Sequence, residues 1–323
     1  MTDTQRAVTQ IADPLDETLH QLRLDGSLYC RSELTSPWGL EMPPMPGSMM
    51  FHIITSGACW LQIPGQDPVE LRQGSLVLIP HGQGHTLLSG PDATVKNLFD
   101  MPVENISDRY EVLRCGGGGE LTQLTCGVVL IEHAAADRLV AQLPKLLILN
   151  GWASIDDGWL QSTLQFIARE ANDQRVGGET ILTHLADILI IQAIRNWLET
   201  APEARQGWLA ALRDRQIGQA LRAIHQSPGE AWTVESLARK VGMSRSGFSA
   251  RFSELVGDSV KSYLTQWRMQ VARKRLQQEN VVIGQLADEL GYGSEAAFSR
   301  AFKRVYGHSP GRTMMQSSLL TGA

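Results

Sequence analysis

Residues 237–259 read LARKVGMSRSGFSARFSELVGDS and residues 286–309 read LADELGYGSEAAFSRAFKRVYGHS, two versions of one pattern that differ by a single residue inserted in the turn. Each copy sets an alanine four residues ahead of a glycine, Ala238 with Gly242 and Ala287 with Gly291, and then starts a new helical period. The spacing has a steric reason. A small side chain lets two helices meet, and the glycine supplies the positive φ that ends the first of them. The second helix of each copy begins at a serine, Ser244 or Ser294, whose hydroxyl can accept a hydrogen bond from the helix's otherwise unpaired N–H groups. Phe248, Phe252 and Leu255 in one copy, and Phe298, Phe302 and Val305 in the other, recur at i, i+4 and i+7 and so form a stripe facing a core. Two helix-turn-helix units are predicted.

At about 100° per residue, the face opposite those stripes carries Ser246, Ser249, Ala250 and Ser253 in the first helix and Ala296, Ser299, Arg300 and Lys303 in the second. Between the copies, 262–278 reads as one amphipathic helix with Leu264, Trp267, Val271 and Leu276 on its packing side, a connector that would fix the separation of the two units. Helices held roughly 34 Å apart can enter successive major grooves of one duplex. Arg300 is the best candidate for direct readout, because a guanidinium can donate two hydrogen bonds to guanine. Lys303, Arg304, Arg245 and Arg251 are read as phosphate contacts. Charge agrees: residues 214–312 hold fifteen Lys and Arg against nine Asp and Glu, a net +6, leaving −11 for the rest of a chain of net −5.

Upstream of residue 133 the pattern is different. Short β-type runs (Met49 to Thr55, Ala58 to Ile63, Ser75 to Ile79, Thr86 to Leu88, Cys126 to Ile131) alternate with Gly and Pro clusters, which predicts a small barrel or sandwich. Helical periods follow over Trp159 to Glu170 and Glu179 to Glu199, and the polar stretch Glu199 to Gln206 reads as a linker. The expected organisation is 1–150 as a sensor domain, 151–206 as a helical dimerisation and linker region, and 207–323 for DNA. With 323 residues, 43% hydrophobic and 20% charged, the chain has the composition of a folded globular protein. Its first residues have no apolar leader and no run is long enough to span a bilayer, so the expected location is the cytoplasm, with nucleoid association when DNA is bound. Four widely spaced cysteines read as reduced thiols.

Residues 214–312 resemble the DNA-binding domain of the AraC/XylS family of bacterial transcription regulators, above all through GYGSEAAFSRAFKRVYGHSPGRTM. The resemblance implies base-reading positions at Arg245, Ser246, Ser249 and Ala250 in the first unit and at Glu295, Ala296, Ser299 and Arg300 in the second. The first set is small and neutral, so the second helix is expected to supply more of the specificity. GSLVLIPHGQGHTLLS (74–89) resembles the second cupin motif at Gly74, Pro80, Gly82 and His85, with Ser89 where Asn is usual. The fold class that follows is α+β, an N-terminal cupin-like β-barrel followed by helices, with an all-α double helix-turn-helix domain at the C-terminus.

The first cupin motif, H-x-H with a Glu, is missing: FHIITSG offers only His52. His52, His81 and His85 therefore stand as effector or metal candidates, Cys115 and Cys126 as speculative additions, against the alternative of buried, hydrogen-bonded histidines. No cofactor is expected beyond a metal at His52 and His85. Trp38, Phe51 and Trp60 are core or line an apolar pocket, and Gly116–Gly119 reads as a mobile connection. No enzymatic activity is expected. A cupin dioxygenase would lack its ligands, and a methyl-accepting regulator would need an activated thiol, which only Cys115, beside Arg114, suggests. The expected partners are double-stranded promoter or operator DNA, RNA polymerase, an unknown small-molecule effector and a second copy of the chain, paired through the apolar helix at 181–198 if that helix does not simply pack within its own chain.

Overall fold

The computed structural model describes residues 28–107, 109–130, 134–150, 158–173, 175–278 and 281–314. They gather into two compact units, one drawn from Arg23–Glu132 and Val140–Thr200, the other from His133–Leu139 and Ala201–Ala323.

The first unit contains twelve strands among the described residues: β1 (Leu28–Thr35), β2 (Gly39–Met42), β3 (Ser48–Ser56), β4 (Ala58–Gln62), β5 (Val69–Arg72), β6 (Ser75–Ile79), β7 (His85–Leu88), β8 (Val95–Asn97), β9 (Val103–Ser107), β10 (Tyr110–Gly116), β11 (Leu121–Leu130) and β12 (Leu147–Asn150). Local sequence sets their depth. The apolar runs MMFHII in β3 and LVLI in β6 are buried on both faces, whereas ACWLQ in β4 alternates exposed and buried residues, as a strand with one wet face must.

The strands form a seven-stranded sheet, β12-β6-β3-β11-β1-β10-β9, and a five-stranded sheet, β5-β4-β7-β2-β8. The expected closed barrel is instead a pair of open sheets sharing one core, to which Met50, Ile54 and Leu124 contribute from the larger and Leu40, Leu61 and Leu87 from the smaller. The smaller sheet stops at β5 and β8, edge strands of four and three residues. Strands this short leave little unpaired backbone to invite further pairing.

Three helices follow in the chain: α1 (Ala134–Val140), α2 (Gly158–Asp173) and α3 (Gly178–Thr200). α2 packs on β3, and α3 packs on α2 and β12. On α3 the residues Leu182, Ala186, Leu189, Ile190, Ala193 and Ile194 are buried, and the Tyr29 hydroxyl donates to Asp187 Oδ1 at 3.3 Å. The helices of the 151–206 segment thus complete the sheet unit, because an apolar face this wide needs a sheet to cover it.

The second unit holds α4 (Gly207–Arg213), α5 (Arg215–Gln226), α6 (Val234–Lys240), α7 (Arg245–Val256), α8 (Val260–Gln278), α9 (Ile283–Glu289) and α10 (Glu295–Tyr306), together with 134–139 of α1. α8 is the connector. Tyr263 and Trp267 are buried toward its N-terminal end, and Met269, Ala272 and Leu276 belong to the cluster around Phe298 and Phe302. Val271, expected on the packing side, is only partly buried there.

Candidate nucleic-acid interface and ligand pocket

Both turns close as the repeat requires. Gly242 has φ +68° and Gly291 φ +73°. In each copy the residue after the glycine donates its N–H back to the buried alanine, Met243 to the Ala238 carbonyl and Tyr292 to the Ala287 carbonyl, both at 2.9 Å. This is the hydrogen-bond pattern by which a left-handed residue ends a helix. The Ser244 hydroxyl accepts from Gly247 N–H and the Ser294 hydroxyl from Ala297 N–H, each at 3.2 Å, so α7 and α10 start where the serines placed them.

With Phe248, Phe252, Phe298 and Phe302 fully buried, the opposite faces are outward. Arg245, Ser246, Ser249, Ala250 and Arg251 on α7 are exposed, as are Glu295, Ala296, Arg300, Lys303 and Arg304 on α10, while Ser299 is half-buried. The apolar stripe of α10 ends a turn earlier than its spacing implied, since Val305 is 38% exposed.

One difference separates the cations. The Arg251 guanidinium donates to Asp214 Oδ2 through Nε at 2.9 Å and Nη2 at 2.5 Å. Asp214 also caps α5, its Oδ1 accepting from Gln216 and Ile217 N–H. Burial raises the Asp214 pKa, but Arg251 and the two N–H groups outweigh it and hold the carboxyl below the ordinary value. Arg245, Arg300, Lys303 and Arg304, by contrast, make no ion pair among the described residues.

Within the helical unit, between the two helix-turn-helix repeats, lies an open cleft of about 820 Å³ whose lining includes Arg245, Lys261, Arg268 and Arg304. Arg268, from α8, donates to the Pro228 carbonyl at 2.6 Å and the Glu230 carbonyl at 2.9 Å, and its guanidinium carbon sits 5.6 Å from the Tyr292 ring centroid. One side chain therefore ties the turn entering the first unit to the turn inside the second. Beneath it two glycines meet: a Cβ on Gly291 would lie 2.2 Å from the Gly229 carbonyl oxygen, and one on Gly229 2.2 Å from the Glu289 carbonyl oxygen. Sequence reading assigned Gly291 to the turn and missed this contact. Arg268 carried no signal beyond its charge.

In the sheet unit His52 (β3) and His85 (β7) come together, and His81 does not join them: its Nε2–H donates to the Leu143 carbonyl at 2.9 Å. His52 Nε2 is 2.7 Å from His85 Nε2, His52 Nδ1 is 3.0 Å from Cys126 Sγ, and His85 Nδ1 is 3.2 Å from the Gln83 carbonyl oxygen. Burial drives both imidazoles neutral, His85 down to about 4 and His52 well below its ordinary value. The tautomers then follow in sequence. A carbonyl only accepts, so His85 Nδ1 carries the proton and its Nε2 accepts from His52 Nε2–H; His52 Nδ1 in turn accepts the Cys126 thiol proton.

Burial keeps that thiol protonated by pushing its pKa well up. Every ring nitrogen is spent. The two Nε2 atoms are closer than two ligands of one metal would stand, and Cys126 faces the other edge of His52, so these residues do not converge as a cupin metal centre would require. Among the described residues no group of three or more His, Cys, Asp or Glu side chains is placed to hold a metal.

The His52–Cys126 pair forms part of the wall of a pocket of about 180 Å³. Met42, Met45, Met50 and Met101 line it with Leu98, and Leu28, Phe99 and Val103, all partly exposed, also line it. Trp38 and Phe51 are core, and Trp60 is 39% exposed; none of the three lines the pocket. The methionines were visible in the run MPPMPGSMM (42–50), but their convergence depends on how β2 and β3 are placed. The cupin-like turn is built as expected: a Cβ on Gly82 would strike the Met45 carbonyl, and Ser89 Oγ accepts from Trp38 N–H at 2.9 Å. Gly116–Gly119 is not a loose connection, since Gly117 and Gly119 N–H donate to the Thr35 and Ser36 carbonyls and Gly118 N–H to Thr35 Oγ1. Arg114 pairs with Glu33 and Glu104, and partial burial raises the Cys115 thiol pKa, so no activated thiol lies there.

Comparison with known proteins agrees with both halves. A cupin family profile matches residues 13–199 and a helix-turn-helix domain profile matches 237–316. A protein of Streptomyces lividans described as an AraC-like transcription regulator is 32% identical, with 93% of this chain and 97% of that one aligned. One from Streptomyces antibioticus with the same description is 31% identical over 93% and 97%. The HTH-type transcriptional regulator AlkR of Acinetobacter baylyi is 31% identical over 94% of this chain and all of its own. No helix among the described residues is long and apolar enough to cross a membrane. With a cupin region ahead of two helix-turn-helix units, and relatives of this identity along nearly its whole length, the chain belongs to the AraC family of DNA-binding transcription regulators.

Proposed function

We propose that the protein recognises a promoter or operator through α7 and α10 in successive major grooves, with α10 supplying most of the base readout. The observation that carries this is Arg300, an exposed cation without an ion-pair partner among the described residues, on the face of α10 opposite the buried Phe298 and Phe302. A guanidinium so placed is free to take a guanine edge. Glu295, Ala296 and Ser299 share the readout, and Ser246, Ser249 and Ala250 offer α7 only small contacts. Lys303, Arg304 and Arg245 take phosphates. The cleft that holds Arg245, Lys261 and Arg304 supports the same reading, as a place for the phosphate backbone between two major grooves. Arg251 serves through its hold on Asp214 as well as any phosphate.

The sheet unit holds a small-molecule effector in the methionine-lined pocket, and occupancy changes DNA affinity because the effector binds the two functional states unequally. Two copies pair through the apolar residues that α3 leaves outward, Ile181 at 38% and Ile188 at 46% exposed. The assembly works in the cytoplasm beside RNA polymerase. Selection from random duplexes with the full-length protein tests the core of this reading. A site with two short elements about one helical turn apart is expected, and Lys303→Ala should lower the salt dependence of log affinity by about one unit on every sequence. Enrichment of a single element would remove α7 from the readout.

A further inference from the structure

We infer that the sheet pocket takes an uncharged, largely apolar molecule about the size of one six-membered ring and excludes anions. This rests on the reading that the sheet unit holds the effector, and it names the effector's chemistry.

Size comes first. A dry apolar cavity of roughly 150 Å³ accepts benzene, and this pocket is about 180 Å³. Chemistry follows from what the wall offers. The imidazole, thiol and hydroxyl groups in the lining already have partners: Cys126 and both nitrogens of His52 are consumed in the chain that runs through His85 to the Gln83 carbonyl, and Cys30 Sγ lies 3.6 Å from Ser32 Oγ. Among the described residues no Lys or Arg lines the pocket. The one histidine in the wall is held neutral by burial. A carboxylate or phosphate would therefore shed its water and find no cation and no spare donor, which is prohibitive in an apolar site.

Among the described residues the one formal charge in the lining is Glu111, directly across the β1–β10 ladder from Cys30, and it repels an anion further. What remains available is soft apolar surface. Six sulfur side chains, Cys30, Met42, Met45, Met50, Met101 and Cys126, belong to the lining. Thioethers are polarisable, rotate easily and make favourable contacts with ring edges, so a planar hydrocarbon framework suits this wall. Leu28, Phe99 and Val103 are each more than a third exposed, giving the ligand an apolar way in.

The test uses full-length protein carrying ¹³C-methyl methionine and three probes of one shape: benzyl alcohol, benzoate and benzylammonium. Benzyl alcohol is expected to shift the methyl signals of Met42, Met45, Met50 and Met101 saturably, with the other methionines unmoved and both ions at least about tenfold weaker. Val128→Phe, which fills the same pocket from β11, is expected to abolish the shifts while leaving the remaining methionine signals as markers of an intact fold. Benzoate binding as well as benzyl alcohol would overturn the proposal. So would preferential binding of benzylammonium that Glu111→Gln removes, and so would four methyl signals that no probe moves. DNA affinity measured with the same probes separates the two layers: saturable methyl shifts with unchanged DNA affinity would support the ligand chemistry and reject the effector role.

Discussion

The two helix-turn-helix units share a backbone but differ in what surrounds it. Around Gly242 in the first turn a Cβ would find open space, whereas around Gly291 in the second it would meet the Gly229 carbonyl at 2.2 Å and an Arg268 nitrogen at 2.9 Å. Their helices differ in the same way. α7 presents small neutral side chains, one unpaired cation at its first residue, Arg245, and an arginine already held by Asp214, and α10 presents Arg300, Lys303 and Arg304 without ion-pair partners among the described residues. A repeat thus preserves what the local fold needs and leaves each copy free to specialise, one side of the turn toward the neighbouring unit and the other toward DNA.

The largest expected effect comes from placing one substitution at both equivalent glycines. Gly291→Ala forces a left-handed alanine against a carbonyl and should cost roughly 2 to 5 kcal/mol, while Gly242→Ala meets the backbone penalty alone, about 1 to 2 kcal/mol. Urea unfolding of the two variants decides it, and equal losses would mean that the junction at Gly229 yields freely.

Arg268→Ala removes two hydrogen bonds to carbonyls and the contact with Tyr292, and should cost roughly 1 to 3 kcal/mol. It should also loosen the geometry between the readers. Operators whose two elements are moved one base pair closer or farther should then compete better against the selected spacing than they do with the unaltered protein. An unchanged spacing preference would show that α8 fixes the separation without this arginine.

On the faces proposed to read DNA the contrast is one of specificity. Arg300→Ala should lose roughly 1 to 3 kcal/mol on the selected site with relaxed preference at one base position, and Ser249→Ala should change binding by under about 0.5 kcal/mol. Equal losses on selected and random DNA for Arg300→Ala would reassign it to the phosphates.

A smaller effect than that of Arg300→Ala belongs to Arg251. The Asp214 carboxyl is held below its ordinary pKa in the folded protein, so its contribution to stability is present above the ordinary carboxylate range and is lost as pH falls through the folded value. Arg251→Ala should make the loss of stability on acidification slightly smaller, as solvent screening of an exposed partner implies, read from urea midpoints at neutral and acid pH.

The helical repeat was legible because its signals are local: an alanine, a glycine, a serine and two phenylalanines at fixed offsets determine a turn and a helix wherever they occur. The strands were legible for a similar reason, period and turn residues, yet the number of sheets was not, since closure depends on how far edge strands run. His52 and His85 could be paired in thought through the cupin-like turn. That they hydrogen-bond directly, with Cys126 on the far nitrogen, depends on the pairing of β3 with β11, in which Cys126 stands opposite His52. The Gly229–Gly291 contact was hidden for the same reason, a meeting of two turns sixty residues apart that no local pattern encodes.

One feature of the helical unit bears on how it can be handled. Its chain is discontinuous: α1, far upstream, contributes Arg138, whose guanidinium carbon lies 4.4 Å from the Tyr263 ring centroid and 5.6 Å from that of Trp208. Asp137 beside it pairs with Lys274 at 3.0 Å. Tyr263 is buried at the centre of an aromatic cluster in this helical unit, where its hydroxyl accepts from the Trp208 indole at 2.9 Å and meets His225 Nε2 at 2.8 Å. A gene truncated to begin at codon 207 therefore encodes every recognition residue but omits the segment that covers this aromatic cluster. Supplying residues 133–139 as a separate peptide, or grafting them through a linker, is the natural way to restore a shortened protein, and protease cleavage after α1 should leave that helix bound to the part of the chain from which it is most distant in sequence.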